Sequence, residues 1–174
     1  MITASAPAKA ILFGEHFVVY GVPAIVVAIE LRARARLEPR QDGVIHVRAP
    51  DLGLEGSFGP DGSFTPLKGG QGAEKSLRPI FRALDFIRRA SGASLGADLE
   101  VRSEVPVAAG LGSSAAVAVA CSGAFLWSLK GELDEQVILR PRSRPRSWST
   151  SPHLALTLPS PHTAAWSYTR RARE

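Results

Sequence analysis

Cysteine, aromatic residues and long apolar runs are all scarce in this sequence. Cys121 is the only cysteine among 174 residues, which excludes an internal disulfide and fits a reducing compartment. Glycines and serines interrupt the most apolar stretch, residues 108–129, so we predict no transmembrane span. No basic segment followed by an apolar run opens the chain, which argues against a secretory signal. We therefore expect a cytoplasmic protein with no membrane partner.

Charge of one sign is concentrated in one part of the chain. Residues 1–136 carry 14 Lys and Arg against 15 Asp and Glu, a net of −1. Residues 137–174 carry seven Arg and only Glu174, a net of +6, so the total of +5 comes from this tail. The basic isoelectric point is therefore no evidence that the first 136 residues bind nucleic acid.

The first 136 residues read as an α/β or α+β domain. Residues 11–13 and 24–29 are apolar runs of strand length, and residues 31–37 alternate Leu, Arg and Ala as a half-buried strand does. Asp42-Gly43 predicts a hairpin turn into a strand at 44–47. The Gly- and Pro-rich residues 53–72 indicate hairpins or loops.

An amphipathic helix is predicted over residues 74–90. Its apolar side chains recur every three to four residues, Pro79 is placed near its start, and Ser91-Gly92 ends it. Residues 97–105 then alternate as a strand that leads into a glycine loop and a helix of small residues.

The glycine loop Gly110-Leu111-Gly112-Ser113-Ser114 has the chemistry of an anion site. The glycines allow a tight path and close approach to a ligand, and the serines suit a helix N-terminus, where their hydroxyls cap free amides. Free amides and the helix dipole attract phosphate. The loop matches neither the Walker A pattern nor the dinucleotide fingerprint, and a plain Ser-capped connection is the alternative interpretation.

Two motifs give the chain a family resemblance. The loop and its flanks resemble the ATP loop of the GHMP small-molecule kinases, and residues 5–21, Ser-Ala-Pro-Ala-Lys-Ala-Ile-Leu-Phe-Gly-Glu-His-Phe-Val-Val-Tyr-Gly, resemble the opening motif of the mevalonate kinases, especially the archaeal and bacterial type. The resemblance covers residues 1–136. It implies an α+β fold, the GHMP kinase amino-terminal domain (ribosomal protein S5 domain 2-like), with a mixed sheet and packed helices.

The resemblance also implies roles for individual residues, with ATP and Mg²⁺ as cofactors and mevalonate as the small-molecule substrate. Lys9 would stabilise charge on the moving phosphoryl group, Glu15 and His16 would position mevalonate, and Ser114 would ligate Mg²⁺. Backbone amides of the loop would hold the phosphates; the loop comprises Pro106, Val107, Ala108, Ala109, Gly110, Leu111, Gly112, Ser113, Ser114, Ala115 and Ala116. The resemblance allows the complete enzyme to form a homodimer, and we expect no nucleic-acid partner.

Structural alternatives stand beside these roles. An isolated lysine such as Lys9 is usually solvated, and His16, among apolar neighbours, could be a core histidine with Glu15 as its partner. His46 in its alternating strand and Cys121 on the small-residue helix are interpreted as structural.

Residues 137–174 do not continue the family pattern. Residues 140–174 hold seven Arg, six Ser and five Pro, which supplies too little patterned apolar surface to order a chain. A disordered basic tail, a nucleic-acid-binding arm and sequence never shaped by selection are the three interpretations. The family resemblance implies a Pro-Ser-Gly-Ile-Asp-like run here, whose Asp is the general base, and then a carboxyl-terminal domain.

A changed reading frame explains the tail best. Joining the third base of each codon to the first two of the next permits, from the Ser151–Pro152 junction to the Tyr168–Thr169 junction, Thr-Pro-Ser-Gly-Ile-Asp-Thr-Ala-Val-Ala-Thr-His-Gly-Gly-Leu-Val-Leu-Tyr. The Asp codon would straddle Leu156 and Thr157, and the shift would lie between residues 136 and 140. The resemblance thus implies a mevalonate kinase of the GHMP type, and the tail predicts that the present chain is truncated and impaired. The alternatives are another GHMP kinase, such as a phosphomevalonate kinase, or a non-catalytic nucleotide- or nucleic-acid-binding protein.

Overall fold

A mixed sheet with two helices on one face builds the described part of the chain. The computed structural model describes residues 1–16, 20, 23–70, 72–106 and 109–131. The elements are β1 (Ile2–Phe13), β2 (Ile25–Arg40), β3 (Ile45–Ala49), β4 (Leu54–Phe58), β5 (Phe64–Lys68), α1 (Gly72–Ser91), β6 (Gly96–Ser103) and α2 (Ser113–Lys130). The sheet order is β1-β2-β6-β3-β4-β5, with β3 and β6 parallel and the other pairs antiparallel.

Side-chain alternation decides which face of the sheet is buried. In β2, Ala33, Ala35 and Leu37 are fully buried, whereas Arg34 and Arg36 between them are exposed. The buried face packs against α1 and α2, and its small β1 and β2 side chains leave room for the α2 backbone to come close. The alternation predicted for residues 31–37 is therefore confirmed, inside a longer strand.

The opposite face of the sheet carries a network of ion pairs. Glu100 of β6 pairs with Arg48 of the neighbouring β3 and with Arg102 of β6 itself, each at 2.9 Å. His46 lies between two carboxylates, with Nδ1 3.1 Å from Asp98 Oδ1 and Nε2 3.0 Å from Glu55 Oε1. These contacts account for His46 as a structural residue of this face.

The hairpin predicted between β2 and β3 is wrong. Gly43 turns the chain with a φ of 71°, but β6 lies between β2 and β3 and pairs with both. β6 fits there because Gly96 has no side chain: a Cβ at Gly96 would lie 2.2 Å from the Val44 carbonyl oxygen. The next residue, Ala97, donates its N–H to that same oxygen at 2.9 Å.

The predicted helix over residues 74–90 is confirmed as α1, with one correction. Because α1 begins at Gly72, Pro79 lies inside the helix and not in its first turn. Gly92 follows the helix with a φ of 66° and donates its N–H to the Arg89 carbonyl, as the Ser91-Gly92 signal predicted. The predicted β4–β5 hairpin and the order of strand, glycine loop and helix at β6 and α2 are also present.

α2 bears on the prediction that the chain has no transmembrane span. Over its 18 residues it has a mean hydropathy of 1.2, long and apolar enough, by length and composition alone, to cross a membrane. In the fold, α2 packs against β1, β2, β6 and α1, with Phe125 and Cys121 fully buried. A core helix meets the same criterion of length and composition.

A buried arginine joins α1 to two turns. Arg88 is only 7% exposed, and it donates hydrogen bonds to the carbonyls of Gly43 at 2.9 Å and Pro60 at 3.2 Å. It also pairs with Asp85, which Arg89 contacts from the solvent side. Arg88 thus satisfies backbone acceptors that the turns alone leave without a partner.

We expect Arg88→Met to lower the free energy of unfolding by about 3 kcal/mol, because it leaves the Gly43 and Pro60 carbonyls without their donor and removes the more buried of the two arginines that pair with Asp85. Arg89→Met is the matched control: Arg89 pairs with the same Asp85, but its side chain is 73% exposed. The control should change stability by less than about 0.5 kcal/mol. Urea unfolding of both variants makes the measurement, and equal losses would show that the buried bonds carry no special weight.

Candidate functional site

The glycine loop leads directly into α2, whose N-terminus carries no side-chain cap among the described residues. Gly112 is the N-cap residue of α2, with a φ of 73°, and no side chain of the described residues hydrogen-bonds to the start of this helix. The first intrahelical bond runs from the Ala116 N–H to the Gly112 carbonyl at 3.0 Å. The amides of Ser113, Ser114 and Ala115 precede that bond and have no acceptor within the helix.

Serine capping, predicted from the sequence, is therefore wrong. The N-cap position is occupied by Gly112, and both serines lie inside the helix as its first two residues. A serine one position earlier would have satisfied one of these amides with its own hydroxyl. Because neither serine occupies the N-cap position, the positive end of the α2 dipole is available to an anion.

Lys9 lies directly on this loop, about a hundred residues away in sequence. Its backbone N–H donates to the Leu111 carbonyl at 3.0 Å. Its side chain passes Gly112, because a Cβ built there would lie 3.0 Å from Lys9 Cγ and 3.2 Å from Lys9 Cε. The ammonium is one bond beyond Cε, so a cation and a helix N-terminus share one region. Lys9 is half-buried and lies inside β1 rather than at its end.

Glu15 and His16 lie just after the end of β1, the strand that carries Lys9. β1 ends at Phe13, Gly14 turns with a φ of 87°, and both side chains are exposed in the turn that follows. The core-histidine alternative for His16 is therefore wrong. The opening motif continues after His16, but residues 17–19, 21 and 22 lie outside the described residues.

The β1–β2 arm has an apolar tip that the sequence analysis did not single out. β6 pairs with β2 only from Ala33 onward, so the outer parts of β1 and β2 extend beyond it. Phe13 is 71% exposed, and its register partner Ile25 is 57% exposed. The signal in the sequence was the loss of polar alternation in residues 24–29, where both strand faces are apolar.

The loop residues themselves are placed as follows. Pro106, Ala109, Gly110 and Ser114 are exposed, whereas Ala116 is buried against the sheet. Val107 and Ala108, which were predicted to bind the nucleotide, lie outside the described residues. In α2, Ala116, Ala120 and Ala124 are at most 4% exposed, so small side chains of this helix lie in the core.

The local chemistry fits a magnesium–nucleotide complex better than a metal held by protein alone. Among the described residues, no group of three His, Cys, Asp or Glu could hold a metal ion. Ser114 offers one exposed hydroxyl at the start of α2. Mg²⁺ commonly takes one or two protein oxygens and completes its shell with phosphate oxygens and water. Uncapped amides, a lysine and a single hydroxyl suit that arrangement.

Cys121 has no place in this site. It is fully buried in α2, and burial raises the pKa of its thiol to about 12. A thiol with such a pKa carries almost no thiolate at neutral pH, so it behaves as a small hydrophobic side chain. The structural interpretation made from the sequence agrees with this environment.

Comparisons with known proteins agree with the fold and the loop. Residues 78–141 match the family described as GHMP kinases N terminal domain. The fold also matches the crystal structure of the Methanococcus jannaschii mevalonate kinase, with a TM-score of 0.63 at 25% identity over 79% of this chain and 43% of that one. The described part of the chain has the fold of a GHMP kinase amino-terminal domain, and the predicted α+β class with a mixed sheet and packed helices is confirmed.

Several curated relatives with this domain are mevalonate kinases. The mevalonate kinase of Pyrococcus horikoshii is 44% identical over 142 residues, which make up 80% of this chain and 42% of that protein. The structure of L. major mevalonate kinase in complex with R-mevalonate matches with a TM-score of 0.53 at 23% identity, over 80% of this chain and 39% of that one, and shows the fold alone. The chain thus spans about two fifths of the length of the curated relatives it matches.

Proposed function

We propose that the complete protein is an ATP-dependent mevalonate kinase, which transfers the γ-phosphoryl group of ATP to the 5-hydroxyl of mevalonate. The observation that carries the proposal is the contact of Lys9 with the uncapped N-terminus of α2. Similarity to mevalonate kinases at 44% identity supports the choice of substrate. The product would enter isoprenoid precursor synthesis, and the cytoplasm is the compartment we propose.

In this proposal some site residues bind the nucleotide and the substrate, and Lys9 stabilises developing charge. The amides of the loop and the first turn of α2 would hold the phosphates, and the Ser114 hydroxyl would be a ligand of Mg²⁺. The Lys9 ammonium would stabilise the charge that develops on the transferred group. Bound Mg²⁺ supplies further neutralisation of the β- and γ-phosphate charges. Glu15 and His16, exposed beyond Lys9, would orient mevalonate.

The present chain is proposed to be impaired as an enzyme. The family match ends at residue 141, close to the reading-frame change proposed between residues 136 and 140. The tail, residues 137–174, lies outside the described residues. Without the Asp that the family resemblance implies, we expect little turnover, since an absent general base costs a factor of about 10²–10⁴ in rate.

A phosphomevalonate kinase is the nearest alternative, and substrate assays of the frame-restored protein separate the two. A nucleic-acid-binding role is the alternative from another class. It would rest on the arginine tail alone, because the first 136 residues carry a net charge of −1. Deleting the tail and measuring the salt dependence of DNA binding tests that role.

Nucleotide binding to the 174-residue chain tests the proposed site directly. With Mg²⁺ and a non-hydrolysable ATP analogue, we expect the amide resonances of Ser113, Ser114 and Ala115 to shift, because these amides have no acceptor within the helix. Lys9→Met should weaken the affinity by about tenfold, the loss of one charge-assisted contact. Lys75→Met, which removes an exposed lysine of α1, is the control and should leave the affinity unchanged. Unmoved amide resonances at saturating nucleotide would reject the site.

A further inference from the structure

Gly112 is the point where the phosphate loop and Lys9 touch. A Cβ at this position would meet three methylenes of Lys9, at 3.0 Å from Cγ, 3.2 Å from Cε and 3.6 Å from Cδ. The two closest distances are below ordinary van der Waals contact between carbons. The Lys9 side chain therefore lies along the open surface of Gly112, and a larger residue there requires the lysine to move.

The backbone fixes the rest of this contact. The Lys9 N–H donates to the Leu111 carbonyl at 3.0 Å, immediately before Gly112, so the start of the lysine side chain cannot shift away from the loop as a unit. A Cβ at Gly112 would thus be accommodated by rotation of the lysine side chain, whose end carries the ammonium. The atom that moves is therefore the Lys9 ammonium nitrogen, which in the proposed function stabilises the negative charge of the phosphate.

We infer that Gly112 is a positioning residue: by lacking a side chain it sets where the Lys9 ammonium lies relative to the phosphate held at the N-terminus of α2. The inference rests on the proposed function and adds to it. A glycine is required there for two separate reasons, its φ of 73° and its contact with Lys9. Only the second reason links it to charge stabilisation.

Gly110 separates the two reasons. Its φ of 71° matches that of Gly112, so alanine at either position carries the same kind of backbone strain. Among the described residues, a Cβ at Gly110 meets nothing within 4 Å, whereas one at Gly112 meets Lys9. Whatever Gly110→Ala does to the loop, it does not press on the lysine.

A double-mutant cycle with inorganic tripolyphosphate as the probe tests the inference on the 174-residue chain. We expect Gly112→Ala and Lys9→Met each to weaken binding by about tenfold. The double variant should lose about tenfold less than the product of the two single losses, because both changes remove the same ammonium contact, whereas any loss from backbone strain at Gly112 persists. Gly110→Ala combined with Lys9→Met should multiply the two single losses. A loss of about a hundredfold for the Gly112→Ala and Lys9→Met pair would overturn the inference.

The lysine can also be observed without any ligand. The chain has four lysines, Lys9, Lys68, Lys75 and Lys130, so the Cε resonance of Lys9 is readily assigned by substitution. It should shift in Gly112→Ala and stay in place in Gly110→Ala. An unmoved Lys9 resonance in a folded Gly112→Ala protein would contradict the inference. If Gly112→Ala does not fold, Gly112→Asn carries the same Cβ in a residue that tolerates positive φ. For that variant the Lys9 resonance is the readout, because an Asn side chain at the N-cap position would itself hydrogen-bond to an amide of α2.

This design keeps the two proposals distinguishable. A wild-type chain that binds no tripolyphosphate rejects the proposed phosphate site, and the Lys9 resonance alone then decides whether Gly112 positions the lysine. Binding by the wild type with independent effects at Gly112 and Lys9 retains the site and rejects the positioning role.

Discussion

A single-base change that restores the reading frame between codons 136 and 140 should raise mevalonate phosphorylation by at least about 10²-fold over the 174-residue chain. The restored frame recovers the Pro-Ser-Gly-Ile-Asp run, whose Asp codon straddles Leu156 and Thr157 in the present reading. That Asp would accept the proton of the mevalonate hydroxyl. We assign this role to none of the described residues near Lys9. A coupled assay of ADP release with mevalonate as the varied substrate gives the comparison.

The control for this gain changes the recovered Asp codon to Asn in the frame-restored gene. The protein then has its full length but lacks the carboxylate, so a gain that depends on the base should be lost while nucleotide binding persists. Sequencing comes first, because the proposal requires that one inserted or deleted base recover the whole run. Failure of every single-base change in that stretch to do so would reject the frame proposal and leave the amino-terminal site untouched.

Local patterns in the sequence predicted what short-range physics decides. The alternation in residues 31–37 fixed the buried face of β2, because neighbouring strand residues point to opposite sides of a sheet. The apolar spacing in residues 74–90 fixed the buried face of α1 in the same way. Both signals span fewer than twenty residues and require no knowledge of the partner element.

Long-range pairing was beyond such patterns. Asp42-Gly43 has the chemistry of a hairpin turn, and the chain does turn there, but β6 enters between the two strands from more than fifty residues away. The contact between Lys9 and Gly112 is of the same kind. Family resemblance placed both residues in one site, whereas only the structure shows that they touch and that glycine, not serine, occupies the N-cap position of α2.

Gly96 offers the largest expected effect on stability. It begins β6 at the place where β3 and β6 pair in parallel, and a Cβ there would lie 2.2 Å from the carbonyl oxygen and 2.6 Å from the nitrogen of Val44. Both atoms belong to the backbone, which cannot rotate aside as a side chain does. The same carbonyl accepts the Ala97 N–H at 2.9 Å, so a shift of Val44 also breaks a hydrogen bond between β3 and β6.

We expect Gly96→Ala to lower the free energy of unfolding by more than about 3 kcal/mol, the range of overpacking combined with a lost buried hydrogen bond. Gly72→Ala is the matched control, since Gly72 also has no positive φ and a Cβ there meets nothing within 4 Å. It begins α1, where alanine is the better helix former, so its stability should be unchanged or slightly higher. Thermal unfolding of the two variants against the wild type measures the difference. A Gly96→Ala protein as stable as Gly72→Ala would mean that β3 and β6 can separate at Val44 without loss, and that the order of the sheet does not depend on this close approach.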